Sequence, residues 1–149
     1  MIKVREALAE VLGIGPTDRR ELQRRGAELD RATTGRWLRD YIEEHRTPGS
    51  SLVIDSMRTR LQTEPVLESL VESRLVYLHA HEETRRRRYR AASALDAVKA
   101  SVTYDTAMNH PTESGVERLL PLAHLIIETD DLSAREVARE VLSAFALGG

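Results

Sequence analysis

A short apolar run in the first half of the chain places the strongest constraint on the fold. Residues 52–55 read Leu-Val-Ile-Asp, and the turn residues Pro48 and Gly49 precede them. A strand that is apolar on both faces is typical of a parallel sheet covered by helices. The run therefore predicts a short buried strand in an α/β fold.

Two further apolar runs extend this pattern. Residues 74–80 (RLVYLHA) and 124–128 (HLIIE) predict two more strands, and helical patterns separate all three runs. The first two strands and the helix between them predict a right-handed βαβ unit. The predicted fold class is a three-layer α/β fold with a short parallel sheet of about three strands and many helices. At 149 residues, a single domain over 1–149 is expected.

Helical periodicity covers most of the remaining sequence, with apolar residues three or four positions apart. Helices are predicted over residues 3–12, 17–31, 36–45, from 64, over 81–90, 93–108 and 112–120, and from 134. The predicted N-caps are Thr17 or Asp18, Thr63, Thr112, and Ser133 with Glu136 as its capping-box partner. Because the first helix begins almost at Met1, no strand is expected before it.

Composition excludes several classes of function. The net charge of −2 argues against a general nucleic-acid binder. The absence of cysteine excludes disulfides, thiolate metal sites and a cysteine nucleophile. No run approaches the roughly 18 apolar residues of a membrane span. The expectation is a cytoplasmic protein with no membrane partner. All basic residues except Lys3 and Lys99 are arginines, which suit bidentate contacts with phosphate.

The end of the first strand is a candidate site. Ligands of open parallel sheets bind beyond the carboxyl ends of the strands, where Asp55 and Arg58 would lie. A carboxylate there can hold a hydrated Mg²⁺ or orient a nucleophile. The alternative is an aspartate that only caps the following loop.

An arginine run follows the second strand within five residues. It comprises Arg85, Arg86, Arg87, Arg88 and Arg90. On a helix, Arg85 and Arg88 share one face, and Arg86 and Arg90 share another. The run is either a solvated face or a phosphate-binding face at the carboxyl edge of the sheet.

The histidines offer a weaker signal. His79 and His81 lie two residues apart, so they are either a metal-binding pair or ordinary strand-end residues, and no third ligand is evident. His110 and Glu113 flank a predicted helix start, where an acid is favourable without any further role. No Ser-His-Asp order and no glycine-rich nucleophile elbow is visible.

Several segments, in this order, resemble those of P-loop nucleotide kinases, especially deoxynucleoside monophosphate kinases and dephospho-coenzyme A kinase-like proteins. In residues 18–30, Arg20, Leu22, Gln23 and Gly26 resemble the family's R-x-x-L-Q-x-x-G segment. Residues 52–58 (LVIDSMR) resemble its Walker-B-like strand. Residues 75–90 resemble the next strand and the arginine-bearing lid, and residues 110–113 and 123–132 resemble the late helix and the final strand.

The resemblance implies transfer of the ATP γ-phosphoryl group to a nucleoside monophosphate or a similar acceptor, with Mg²⁺ and ATP as cofactors. It implies a substrate-side helical region at about 17–47 and a lid at about 81–110. It gives catalytic roles to Asp55, which would hold Mg²⁺ through water, and to Arg85 and Arg88. It gives substrate binding to Arg20, Gln23, Arg58 and Arg90.

One departure limits these implications. The sequence contains no G-x-x-x-x-G-K-[ST] loop, whose amides and lysine hold the β- and γ-phosphates. Residues 3–13 resemble the helix that follows this loop, so the first strand is expected to be missing too. The chain should then bind ATP poorly and transfer little phosphate, as a truncated or degenerate kinase. A start site assigned too far downstream is the other explanation.

The missing strand also has consequences for the sheet and for the function. Either the remaining strands close up, or a second copy or a partner chain covers the gap. The alternative function is a non-catalytic nucleotide-binding or regulatory protein derived from a kinase. A third reading is a small helical interaction protein whose likeness to kinases is coincidental.

Overall fold

The computed structural model describes residues 1–15, 19–95, 102–109 and 111–145. The chain forms two compact units, Met1–Ser73 and Arg74–Gly149. The fold is α/β and mostly helical, and its described strands form two small parallel sheets of two strands each. Among the described residues, no helix combines the length and the apolar character that crossing a membrane requires.

The first unit begins with a strand. Its elements are β1 (Ile2–Lys3), α1 (Val4–Leu12), α2 (Arg19–Thr33), α3 (Arg36–His45), β2 (Ile54–Asp55) and α4 (Arg60–Ser69). β1 and β2 pair in parallel, with Ile2 opposite Ile54 and Lys3 opposite Asp55. The expectation that no strand precedes the first helix is therefore wrong. Two extended residues are enough to hydrogen-bond to a neighbouring strand, but they are too few to show a period in the sequence.

The core of the first unit is built from α1, α3, α4 and the start of the chain. The buried cluster comprises Val4, Ala7, Trp37, Leu38, Ile42 and Val66. In α3, the spacing of Trp37, Leu38, Tyr41 and Ile42 predicts a buried face, and this is confirmed because Leu38 and Ile42 are almost completely buried. In α1, the spacing of Val4, Leu8, Val11 and Leu12 predicts a buried face, which is confirmed only in part because Val11 is exposed.

A buried carboxylate joins three helices of this unit. Asp30 of α2 is only 7% exposed. It accepts a hydrogen bond of 2.6 Å from Nε1 of Trp37 on α3, and bonds of 3.1 and 3.0 Å from Nε2 of Gln62 on α4. Since buried polar groups are costly when they lack partners, these three side chains depend on one another.

The backbones of α3 and α4 approach closely at Gly35, which precedes α3 and has a φ of +72°. A Cβ at this position would lie 1.6 Å from the carbonyl oxygen of Leu61 and 2.1 Å from its carbon. Pro65, four residues after Leu61, has no N–H to donate to that carbonyl. Only glycine fits here, because both the φ angle and the contact exclude a side chain.

The start of α4 differs from the prediction. Thr59 caps this helix, with its side chain accepting a hydrogen bond from the amide of Gln62 at 3.3 Å. The predicted cap, Thr63, lies inside the helix, where it is buried and donates to the carbonyl of Thr59. Pro65 is therefore an interior residue rather than a first-turn residue. The predicted caps of α2, Thr17 and Asp18, lie outside the described residues.

The second unit contains the other sheet. Its elements are β3 (Val76–His79), α5 (Glu82–Ser93), α6 (Tyr104–Met108), α7 (Pro111–Ser114), a 3₁₀ helix (Val116–Leu122), β4 (Leu125–Glu128) and α8 (Ala134–Ala144). β3 and β4 pair in parallel, from Val76 opposite Leu125 to His79 opposite Glu128. The predicted capping box of Ser133 and Glu136 is present at the start of α8.

The predicted strand pairing is wrong. The sequence predicted one sheet of about three strands, in which β2, α4 and β3 form a βαβ unit. Instead, β2 pairs with β1, and β3 pairs with β4. Pairing is decided by contacts between segments that are distant in sequence, so apolar runs locate strands without identifying their neighbours.

Two helix predictions in the second unit also need correction. Thr112 is not a cap, because α7 already begins at Pro111 and is followed by a 3₁₀ helix. The helix predicted over 93–108 is not continuous, because α5 ends at Ser93, residues 94–95 and 102–103 are not helical, and α6 spans Tyr104–Met108. Residues 96–101 lie outside the described residues.

Replacing the buried carboxylate tests its role. We expect Asp30→Ala to lower the free energy of unfolding by about 2–4 kcal/mol, because Trp37 and Gln62 become buried donors without an acceptor. Urea unfolding followed by Trp37 fluorescence measures the change. Asp40→Ala, at an exposed position of α3, is the control and should change the stability by under about 0.5 kcal/mol. Equal effects of the two substitutions would contradict the prediction.

The close approach at Gly35 gives a second prediction. Gly35→Ala should destabilise the protein by about 3 kcal/mol or more, because its Cβ collides with backbone atoms that no rotamer change can move. Gly49→Ala is a matched control, since Gly49 also has a positive φ but has no atom within 4 Å of the added Cβ. It should cost only about 1 kcal/mol. Thermal unfolding of both variants would reveal the difference, and similar losses would rule out the steric explanation.

Candidate functional site

The second unit has a cleft at the carboxyl ends of its two paired strands. We call it the carboxyl-edge cleft; its volume is about 590 Å³. His81, Glu83 and Thr84 line it near the start of α5, and its other lining residues are Glu128, Asp130, Asp131, Leu132 and Glu140. Because β3 and β4 are parallel, their last residues, His79 and Glu128, lie side by side at this edge. This is the position at which open parallel sheets bind ligands.

The lining of this cleft is strongly acidic. Its carboxylates are Glu83, Glu128, Asp130, Asp131 and Glu140. Carboxylate oxygens accept hydrogen bonds from hydroxyl and amino groups, and they repel a phosphate placed directly among them. The cleft itself therefore suits the uncharged, donor-rich part of a ligand.

Asp130 connects the loop after β4 to the start of α5. It accepts hydrogen bonds from the backbone amide of His81 at 3.1 and 3.2 Å. Its Oδ2 also lies 2.9 Å from Nδ1 of His81. His81 precedes the first residue of α5 and makes no cap with its own side chain, so Asp130 supplies a helix-start acceptor from another segment.

These contacts perturb the ionisation of both groups. Hydrogen bonds from the Thr84 side chain and then from His81 lower the pKa of Asp130 to about 2. The hydrogen bond and charge of Asp130 raise the pKa of His81. With Nδ1–H donated to the carboxylate, neutral His81 has its lone pair on Nε2 and can act there as a base or an acceptor. The His81 side chain is 71% exposed, so solvent and ligands reach it.

A second contact next to Asp130 also holds α5 against the end of β4. Nη1 of Arg88 donates to Oγ1 of Thr129 at 2.9 Å, and Nη2 donates to its carbonyl oxygen. Thr129 in turn donates through Oγ1 to the carbonyl of His79 at 2.9 Å and is buried. Arg88, predicted as catalytic, therefore has a structural contact that ties the helix to both strands.

The other arginines of α5 divide into two groups. Arg86 bonds to Glu82 at 2.9 Å and to Asp105 at 2.6 Å, and its guanidinium lies 4.6 Å from the ring centroid of Tyr104. Arg85, Arg87 and Arg90 are exposed and have no carboxylate partner within the part of the chain that the structure describes. Three guanidinium groups are therefore available to an anion on this helix.

The remaining predicted site residues belong to the first unit. Asp55 is exposed at the end of β2, and Arg58 is half-buried in the segment that follows. Gln23 is exposed on α2, and Arg20 lies in the first turn of the same helix. The roles that the resemblance gives to these four residues stay predictions.

A metal site is not evident from the described side chains. Nowhere in the described ranges do three or more His, Asp or Glu residues come together as ligands for an ion. His79 and His81 have ring centroids 5.9 Å apart, but His81 lies beyond the strand and bonds to Asp130. A role for Asp55 with Mg²⁺ needs a bound phosphate as co-ligand and stays a prediction.

Sequence reasoning missed the central residues of the cleft. Thr129, Asp130 and Glu140 are not among the predicted site residues. Their position supplies a usable signal, because polar residues directly after a parallel strand lie at the ligand-binding edge. The pairing of β3 with β4 is what brings Asp130 to His81, and no sequence spacing encodes it.

The His81–Asp130 contact predicts a measurable titration. Asp130→Asn should lower the pKa of His81 relative to the wild type, since the carboxylate is the main cause that raises it. NMR of the imidazole ring across pH 5–9 measures the midpoint. Asp131→Asn removes a charge that raises the pKa of His81 only slightly, so it should shift the midpoint less. Equal shifts in the two variants would show that the hydrogen bond is not the cause.

The same contact makes stability depend on pH. Because the folded pKa of His81 is raised, its stabilising contribution is complete below the unfolded value near 6.5 and is lost as the pH rises through the folded value. Asp130 behaves in the opposite sense. Its contribution is present above the unfolded value of about 3.9 and is lost as the pH falls towards about 2.

No protein-family model, curated protein or solved structure matches this chain. The likeness to P-loop nucleotide kinases therefore rests on the sequence segments alone and assigns the chain to no family. What the protein does has to be argued from the carboxyl-edge cleft and the residues around it.

Proposed function

We propose that this chain binds a nucleoside monophosphate or a similar small phosphate ester in its second unit. The carboxyl-edge cleft carries this proposal, because it lies at the ends of two parallel strands beside a helix with three available arginines. Ligands of parallel sheets bind at that edge. The sequence segments that resemble nucleotide kinases point to the same class of ligand.

The charges around the cleft suit a ligand that has two chemically different parts. The five carboxylates favour groups that donate hydrogen bonds, such as ribose hydroxyls and the amino groups of bases. The phosphate is held outside this acidic wall by arginines of α5, which can form paired hydrogen bonds with its oxygens. A ligand with one anionic end and one donor-rich end satisfies both surfaces.

Arg85 is the arginine best placed to hold the phosphate. It follows Thr84, which lines the cleft, and it is exposed. Arg88 keeps its contact with Thr129, but a guanidinium has five N–H donors and can also contact an anion. Arg90 lies about 7 Å further along the helix axis than Arg85, so it suits a longer ligand.

Binding without phosphoryl transfer is the activity proposed for the 149-residue chain. Transfer requires a cradle of amides and a lysine for the β- and γ-phosphates, and the printed sequence contains no loop of that pattern. This favours the non-catalytic alternative over the kinase hypothesis. ATP and Mg²⁺ are not required for binding of this kind.

Phosphoryl transfer is the second candidate, and one observation favours it. Asp55 is exposed at the carboxyl end of β2, a strand in a parallel pair, as the acid of a Walker-B-like strand would be. Incubating the chain with Mg·ATP and a panel of nucleoside monophosphates tests this candidate. Nucleoside diphosphate formation that Asp55→Asn abolishes would establish transfer, and its absence would leave binding alone.

Calorimetry tests the binding proposal. We expect adenosine 5′-monophosphate to bind saturably and Arg85→Gln to weaken it at least about tenfold, as one charge-assisted contact is worth about 1.5–3 kcal/mol. Arg118→Gln is the control, because Arg118 is an exposed arginine of the 3₁₀ helix that precedes β4. The Arg118→Gln variant should bind adenosine 5′-monophosphate with the affinity of the wild type. Failure of the wild type to bind, or equal losses in the two variants, would overturn the proposal.

A further inference from the structure

The first unit contains a separate cavity at the amino end of α3. We call it the α3 cavity; its volume is about 280 Å³. It is lined by Thr34, Arg36, Arg39, Pro65, Glu68 and Ser69. Thr34, Arg36 and Arg39 lie within the predicted substrate-side region at about 17–47, but none of the six is a predicted site residue. All six lie in the first unit, and the cavity shares no lining residue with the carboxyl-edge cleft.

Two arginines on one face of α3 give the cavity its charge. Arg36 and Arg39 are three residues apart, which places them next to each other on a helix. Nε of Arg36 donates to the carbonyl of Thr33 at 3.3 Å, and its terminal nitrogens have no partner among the described residues. Arg39 is already paired with Asp40, whose Oδ1 accepts from Nε at 2.7 Å and from Nη2 at 2.5 Å. The edge of the Arg36 guanidinium that carries its two terminal nitrogens is therefore free to bind an anion.

Thr34 is unusual in its backbone conformation. Its φ is +53°, in the left-handed region that β-branched residues rarely adopt. At the end of α2, the amide of Thr34 donates to the carbonyl of Arg31 at 3.4 Å. The left-handed residue at the end of a helix is usually glycine. Threonine adds nothing to that backbone contact, but it puts a hydroxyl on the wall of the cavity. Ser69 adds a second hydroxyl, from the end of α4.

We propose that the α3 cavity binds the phosphate group of a small phosphate monoester. Arg36 binds the dianion through its terminal nitrogens, Arg39 adds the N–H donors that Asp40 leaves unused, and the hydroxyls of Thr34 and Ser69 donate to its oxygens. Glu68 lies in the same wall and accepts a hydrogen bond from the organic part of the ester, which disfavours polyphosphates.

NMR titration of the full chain tests the site with two probes, inorganic phosphate and glycerol 3-phosphate. We expect saturable shifts of the amides from residue 34 to residue 38, with the ester binding more tightly than the free ion. Arg36→Ala should lower the affinity for the ester about tenfold. Arg5 is an exposed arginine of α1, and Arg5→Ala should leave the affinity unchanged. Arg85→Gln should also leave it unchanged, which separates this site from the proposed function.

Thr34 provides a test that a purely structural role would fail. Thr34→Gly should raise the melting temperature, because glycine adopts this φ without strain. The same substitution should nevertheless lower the affinity for the ester several-fold. Thr34→Ser keeps the hydroxyl and should bind like the wild type. Four results would each overturn the proposal. Two concern variants: wild-type affinity in Thr34→Gly, or equal losses of affinity in Arg36→Ala and Arg5→Ala. Two concern the wild type: tighter binding of inorganic phosphate than of the ester, or no saturation up to about 50 mM.

Discussion

The buried carboxylate of Asp30 is the interaction on which the first unit depends. Local periodicity builds α2, α3 and α4, but it does not say how they are arranged around one another. Asp30 does so by accepting from Trp37 and Gln62, one residue on each neighbouring helix. Since a buried acceptor and two buried donors are costly when separated, the three helices hold one arrangement. Gly35 then permits the close backbone contact that this arrangement requires.

The second unit uses the same principle at its sheet edge. β3 and β4 are only four residues long, which is little for a parallel pair. The two residues after β4 compensate by holding α5: Thr129 bonds to Arg88, and Asp130 bonds to His81. Of these residues, His81 and Asp130 also line the carboxyl-edge cleft. The shape of the cleft and the stability of the unit therefore depend partly on the same side chains, so a variant at the cleft has to be checked for folding as well as for binding.

Sequence reasoning succeeded where the physical signal is local. The apolar face of α3 and the capping box of Ser133 depend on residues within one or two helical turns, and both are present. It failed for β1, because two extended residues show no period and their partner strand is distant in sequence. It also misplaced the cap of α4, a local contact that Thr59 makes rather than Thr63. The arginines of α5 were correctly placed on one helix, but their different partners could not be foreseen.

By itself, the sequence determined most of the helices, the approximate positions of β2, β3 and β4, and an arginine-rich helix directly after a strand. These follow from side-chain periodicity and turn chemistry, which act over a few residues. Only the tertiary structure decided which strands pair, which arginines are free, and that Asp130 meets His81. Those outcomes join residues far apart in the chain, such as His81 and Asp130, and depend on packing that spacing does not encode.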